Sequence, residues 1–185
     1  MTKKSTYRGD SPGKKVVRAR AWLHAAKIMQ VGYRAELNGA LVLSGHGGDV
    51  STLLGWGIPS NKITAVDMAK DALEFSAELY PEVTHHHASI QEVCMRPDVI
   101  YNTAHLDFCG GLNVPNIHAT QEVMKNISLH SLKSEDGFSD GDGVGFVFVT
   151  MMRGREQDQQ DNESICSQLS RAMRDEHLQH IAVGA

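Results

Sequence analysis

No apolar run in this 185-residue chain approaches the roughly 18 residues that a membrane-spanning helix needs. The first twenty residues, Met1 to Arg20, are polar and basic with no apolar segment behind them, so neither a signal peptide nor a membrane anchor is expected. Cysteine is scarce too. Cys94, Cys109 and Cys166 are odd in number, widely spaced and free of any C-x-x-C pairing. That pattern speaks against a disulfide framework or a zinc knuckle and suits a reducing compartment, the cytoplasm. Internal repeats are missing, and compositional bias is confined to an acidic, glycine-containing stretch from Ser134 to Gly143.

What is present reads as an ordinary folding unit. Apolar residues make up 41% and charged residues 22% of the chain, far from the composition of a disordered polypeptide. The length suits one domain with a hydrophobic core. The net charge of −4 conceals an asymmetry: Lys3, Lys4, Arg8, Lys14, Lys15, Arg18 and Arg20 against Asp10 give the first twenty residues +6, leaving −10 for the remainder. Residues 1–13 are read as a basic arm and 14–185 as a single α/β domain. Such an arm can neutralise the phosphates of a nucleic acid, in which case binding would weaken with salt; the alternative is a solvated tail running into a first helix.

The turn signal Ser11-Pro12-Gly13 precedes an expected helix from Lys14 to Met29, with apolar residues at Val16, Val17, Trp22, Leu23 and Ala26. Asn38-Gly39 breaks it, and Ala40-Leu41-Val42-Leu43 reads as a strand that ends in Ser44-Gly45-His46-Gly47-Gly48-Asp49. The alternation continues with helices at 49–55, 68–79 and 89–94, strands at 62–66 and 83–87, and a strand between Asp98 and Leu106. A helix over 117–132, a strand over 144–150 and a helix over 162–179 complete the expectation. Strands alternating with helices imply a Rossmann-like three-layer sandwich, its mostly parallel sheet of about five or six strands covered on both faces.

In parallel α/β sheets, nucleotides bind beyond the carboxyl ends of the strands, which directs attention to the first glycine turn. Gly45, Gly47 and Gly48 let the backbone turn sharply, and the following helix aims its N-terminal N–H groups at whatever sits there. Asp67 ends the apolar strand Ile63-Thr64-Ala65-Val66, twenty-two residues after Gly45, where a carboxylate can accept both hydroxyl hydrogens of a ribose. A dinucleotide oxidoreductase also uses a glycine turn and an acid at this distance. In its G-x-G-x-x-G pattern, however, the third glycine would fall at Val50.

Leu41-Val42-Leu43-Ser44-Gly45-His46-Gly47-Gly48 and Ile63-Thr64-Ala65-Val66-Asp67-Met68 resemble the first motif and second strand of class I S-adenosylmethionine-dependent methyltransferases. The resemblance covers about residues 36 to 150 and implies S-adenosylmethionine as cofactor. By that pattern Ser44, Gly45, His46 and Gly47 line the cofactor, Asp67 holds its ribose, Met68 packs on adenine, and Ser89 and Ile90 lie at the adenine edge. The sequence departs from the pattern at Leu43, where an acid is usual, at Asp49, the usual last glycine, and at Ser89, often an aspartate. Too little chain follows Thr150 for the family's last strand pair, so the sheet is expected to be truncated from the usual seven strands; such compactness suits a viral or phage protein in a host cytoplasm.

The catalytic loop implied by the resemblance falls on Asn102 to Gly111. Asp107 or His105 would serve as general base, Asn102 would orient the acceptor, and Cys109 would be a nucleophile only with a lowered thiol pKa. The alternative is a turn in which Asp107 caps the next segment. Neither an Asn/Asp-Pro-Pro-Tyr signature nor a Pro-Cys pair identifies the acceptor; nucleic acid is the leading candidate. A non-catalytic protein that binds the cofactor or another nucleotide on the same fold is the second functional class. His85-His86-His87, with His105, Asp107 and Cys109, raise a metal reading. Because strand neighbours point to opposite faces, at most His85 and His87 could share an ion, and a strand end reaching solvent is the preferred account.

Overall fold

The apolar tetrad Ala40–Leu43 forms β1, the central strand of a five-stranded parallel sheet. The computed structural model of the chain describes residues 12–27, 30, 37, 39–108, 113–131 and 145–151. Within them α1 (Pro12–Lys27) precedes β1, followed by α2 (Gly48–Gly55), β2 (Ile63–Asp67), α3 (Lys70–Leu79) and β3 (Thr84–His87). Then come α4 (Ile90–Cys94), β4 (Thr103–Phe108), α5 (Val114–Ser131) and β5 (Phe146–Met151). The order across the sheet is β3-β2-β1-β4-β5, every pair parallel. The chain therefore winds outward from β1 to β3 and returns to lay β4 on the other side of β1. That reversal opens a crevice at the carboxyl ends of β1 and β4.

Period-two alternation sorts the core into two layers. Leu41, Val66, Ala104, Leu106 and Phe108 face α4 and α5, packing with Val93, Ala119, Val123 and Ile127. Ala40, Val42, Ile63 and Ala65 face the other way, onto Trp22, Val50 and Leu53. Most elements fall within a few residues of expectation, but β4 differs. It runs through Thr103-Ala104-His105-Leu106-Asp107-Phe108, so His105 and Asp107 are strand residues, not members of a loop or cap beyond it. Their side chains share the face that receives α1.

Proline at the first position of α1 suits a helix start. The residues α1 buries are Arg18, Trp22 and Ala25, one stripe at helical spacing, while Val16, Val17 and Leu23 stay about half exposed. Among the described residues no helix is long and apolar enough to cross a membrane. The arm through Ser11, Cys109, Cys166, the stretch 134–143 and the expected helix over 162–179 lie outside the described residues.

Candidate functional site

The turn after β1 is tied to the end of β2 by a carboxylate. Asp67 accepts from the Gly45 amide through Oδ2 at 2.9 Å and from the Ala69 amide through Oδ1 at 2.8 Å. Each oxygen keeps a further lone-pair direction, so a vicinal diol can still donate to both. Gly45 and Gly47 adopt φ values of 47° and 81°, which L side chains rarely take. At Gly47 a Cβ would also come within 2.8 Å of the Tyr80 ring and 3.0 Å of Ser76 Oγ. Met68, beside Asp67, is 74% exposed, and His46 and Phe75 set their rings 5.1 Å apart next to the turn.

Behind the turn runs a chain of hydroxyls. Ser44 Oγ donates to Ser76 Oγ at 2.9 Å, and Ser76 lies 3.1 Å from His85 Nε2. His85 Nδ1 is 2.9 Å from the Val83 carbonyl, and burial holds its imidazole below the ordinary histidine pKa.

On the α1 face a second polar centre connects to the turn through Asp49. This carboxylate is 1% exposed and accepts from Trp22 Nε1 at 2.7 Å and His105 Nδ1 at 2.6 Å, with Arg18 Nε 3.0 Å from its other oxygen. His105 is buried, stacked on Phe148 with ring centres 4.2 Å apart, and its Nε2 lies 2.9 Å from Thr150 Oγ1. Thr150 donates to Asp107 Oδ1 at 2.9 Å, while Lys14 and Arg18 stand 3.3 and 3.6 Å from Asp107 Oδ2. Asp107 keeps 11% side-chain exposure. Continuing the β1–β4 register places it level with Ser44, at the crevice.

The structure thus brings Ser44, Gly45, His46, Gly47, Asp67 and Met68 to one edge, with His105 and Asp107 joined on the adjoining face. Asn102 is not brought together with them. It precedes β4, at the opposite end of the strand, where its N–H donates to Gly39 and its carbonyl accepts from Phe146. Ser89 caps α4: its hydroxyl oxygen accepts from the Glu92 amide, while its own N–H and hydroxyl donate to the Glu92 carboxylate and hold it below the usual carboxylate range. Ile90 is buried in the core beneath α4.

His85, His86 and His87 form the end of β3, partly exposed at the sheet edge, and no metal-ligating group occurs among the described residues. Cys94 is buried, and desolvation pushes its thiol up to about 11. Sequence reasoning missed the hub at Asp49 and the parts played by Arg18, Trp22, Thr150, Ser76 and His85. Only Asp49 left a trace, as a carboxylate where a glycine was expected.

No family model and no curated protein matches the sequence. Among solved structures, the chain is similar to the plantazolicin methyltransferase BamL in complex with a triazolic desmethylPZN analog and SAH, at 11% identity and a TM-score of 0.53, over 90% of this chain and 79% of that one. It is likewise similar to a putative rRNA-methylase from Clostridium thermocellum, at 12% identity and a TM-score of 0.51, over 81% of each chain. Streptomyces venezuelae DesVI matches at 14% identity and a TM-score of 0.47, over 64% of this chain and 47% of its own, so the match spans about half of that protein. The fold is that of the class I methyltransferases.

Proposed function

We propose that this chain is a methyltransferase that uses S-adenosylmethionine, bound beyond the carboxyl ends of β1 and β2. The observation that carries the reading is Asp67, locked by the Gly45 and Ala69 amides with acceptor capacity left on both oxygens. The residues present fit an adenosyl group: Asp67 for the ribose hydroxyls and the exposed Met68 as an apolar surface for the base. SAH, the demethylated product of the cofactor, is bound in the BamL structure, which supports the same assignment here. When bound, the cofactor supplies a sulfonium methyl for in-line displacement.

The protein's part in the chemistry is assigned to Asp107. It is the carboxylate at the crevice, held by Thr150 and Lys14 and still partly exposed, and it takes the proton that an acceptor loses. His105, buried behind it, acts through Thr150 as a positioning residue. A nucleic acid is the acceptor class best suited to the basic arm, which carries Lys3, Lys4 and Arg8 ahead of α1. One observation favours cofactor binding without catalysis as a second reading: both oxygens of Asp107 already have partners.

Methyl transfer from labelled cofactor to RNA, DNA, protein and small-molecule acceptors separates the two. We expect Asp107→Asn to lower turnover by about a hundredfold with SAH affinity unchanged, the pattern of a loss confined to the transition state. SAH binding without transfer to any acceptor assigns the chain to the second reading.

A further inference from the structure

The hydroxyl chain behind the glycine turn has a direction that its end partner determines. The Val83 carbonyl can only accept, so His85 Nδ1 carries the ring proton, and in the neutral imidazole Nε2 is left as an acceptor. Ser76 therefore spends its single proton on His85. With that proton committed, Ser76 can only accept from Ser44, so Ser44 donates to Ser76. Ser44 and Ser76 are 3% and 0% exposed, so water does not offer them alternative partners. The Ser44 hydroxyl is thus held with its proton turned toward α3 and its remaining lone pair turned away. Ser44 adjoins Gly45, whose amide binds Asp67, and its carbonyl accepts from Gly47 at 2.8 Å to close the turn. Ser76 also occupies the space that a side chain at residue 47 would need.

We infer that Ser76 and His85 are positioning residues that fix the direction of the Ser44 hydroxyl and, through it, the shape of the glycine turn that receives the cofactor. The inference rests on the cofactor reading above and adds to it an acceptor relay anchored on the edge strand.

The test compares the wild type with Ser76→Ala, His85→Phe and His85→Gln. Calorimetric titration with SAH gives the affinity, and the amide resonances of Gly45 and Gly47 in the ligand-free proteins report the turn. Ser76→Ala and His85→Phe should weaken SAH by about tenfold and displace both amide resonances. His85→Gln, whose Oε1 can accept where Nε2 does, should restore both. Unchanged SAH affinity in Ser76→Ala and His85→Phe would overturn the inference, as would damage by His85→Gln equal to that by His85→Phe, since packing would then be the cause. A wild type that binds no SAH while the amides follow the expected pattern overturns the cofactor reading alone; amides that ignore all three substitutions overturn the relay whatever the affinities.

Discussion

His85 has a consequence for stability as well as for the turn. Burial lowers its pKa below the unfolded value near 6.5, opposed by the hydrogen bond to the Val83 carbonyl and then by Glu82, and His86 is lowered chiefly by burial and then by Arg96. For a histidine depressed in the folded state, the unfolded chain binds more protons across the interval between the two pKa values. Stability is therefore complete above the unfolded value and falls as the pH drops from about 6.5 toward the folded value. Thermal melts at pH 7 and pH 5 should show a larger drop in Tm for the wild type than for His85→Gln. Equal drops would remove His85 as a contributor.

Residues also differ in how far they could be read in advance. Asp67 was legible because its role depends on local facts, an apolar strand and a fixed distance from a glycine turn. Ser76 and His85 were not. A serine within an amphipathic helix and a histidine in a run of three carry no mark of the contact that joins them.

Among the elements, α1 meets the sheet through ion pairs and hydrogen bonds as well as apolar contact. Its inward stripe places Arg18 and Trp22 on Asp49, and Lys14 and Arg18 on Asp107. Asp49 is the shared acceptor for Trp22 Nε1 and His105 Nδ1 and the ion-pair partner of Arg18, so removing it strands two buried donors and a buried cation together. We expect Asp49→Ala to cost about 3–5 kcal/mol of folding stability, the range for breaking a buried charge pair. Near-UV circular dichroism should lose the signal of Trp22, which packs edge-on against Phe148 at 4.7 Å, and chemical denaturation should measure the cost. A loss under about 1 kcal/mol would show that α1 is held by apolar packing alone.

The same pairing explains why β4 was misjudged from sequence. Thr103, His105 and Asp107 alternate with Ala104, Leu106 and Phe108 at the period of a strand, but the Gly110-Gly111 pair beyond drew the reading toward a loop, and nothing nearby in sequence marks the partner that α1 supplies to the polar face. That partner lies 93 residues away for Lys14 and Asp107. Apolar β1 and β2 needed no such partner and were read nearly to the residue. The exposed Val16 and Val17 had marked α1 as a helix, but its buried stripe answers to the acids of the sheet.

For the molecule as a whole, the strand order creates one crevice, and everything proposed about function converges on it. The glycine turn and Asp67 stand on one side, Asp107 and its cations on the other, with Asp49 joining the first helix to both. The parallel, helix-covered character of the sheet followed from the alternation of elements in the sequence, whereas its strand order and the polar bracing behind it depend on contacts between distant segments that alternation does not encode. The central claim is that the crevice takes an adenosyl cofactor through Asp67.

Calorimetric titration of the full chain with S-adenosylmethionine, SAH, NAD and ATP, repeated on Asp67→Ala, tests it directly. The account predicts saturable binding of S-adenosylmethionine and SAH, weakened by about 1–3 kcal/mol in the variant through loss of hydrogen bonds to a charged acceptor. Binding of NAD alone, or SAH affinity untouched by Asp67→Ala in a folded protein, would contradict it.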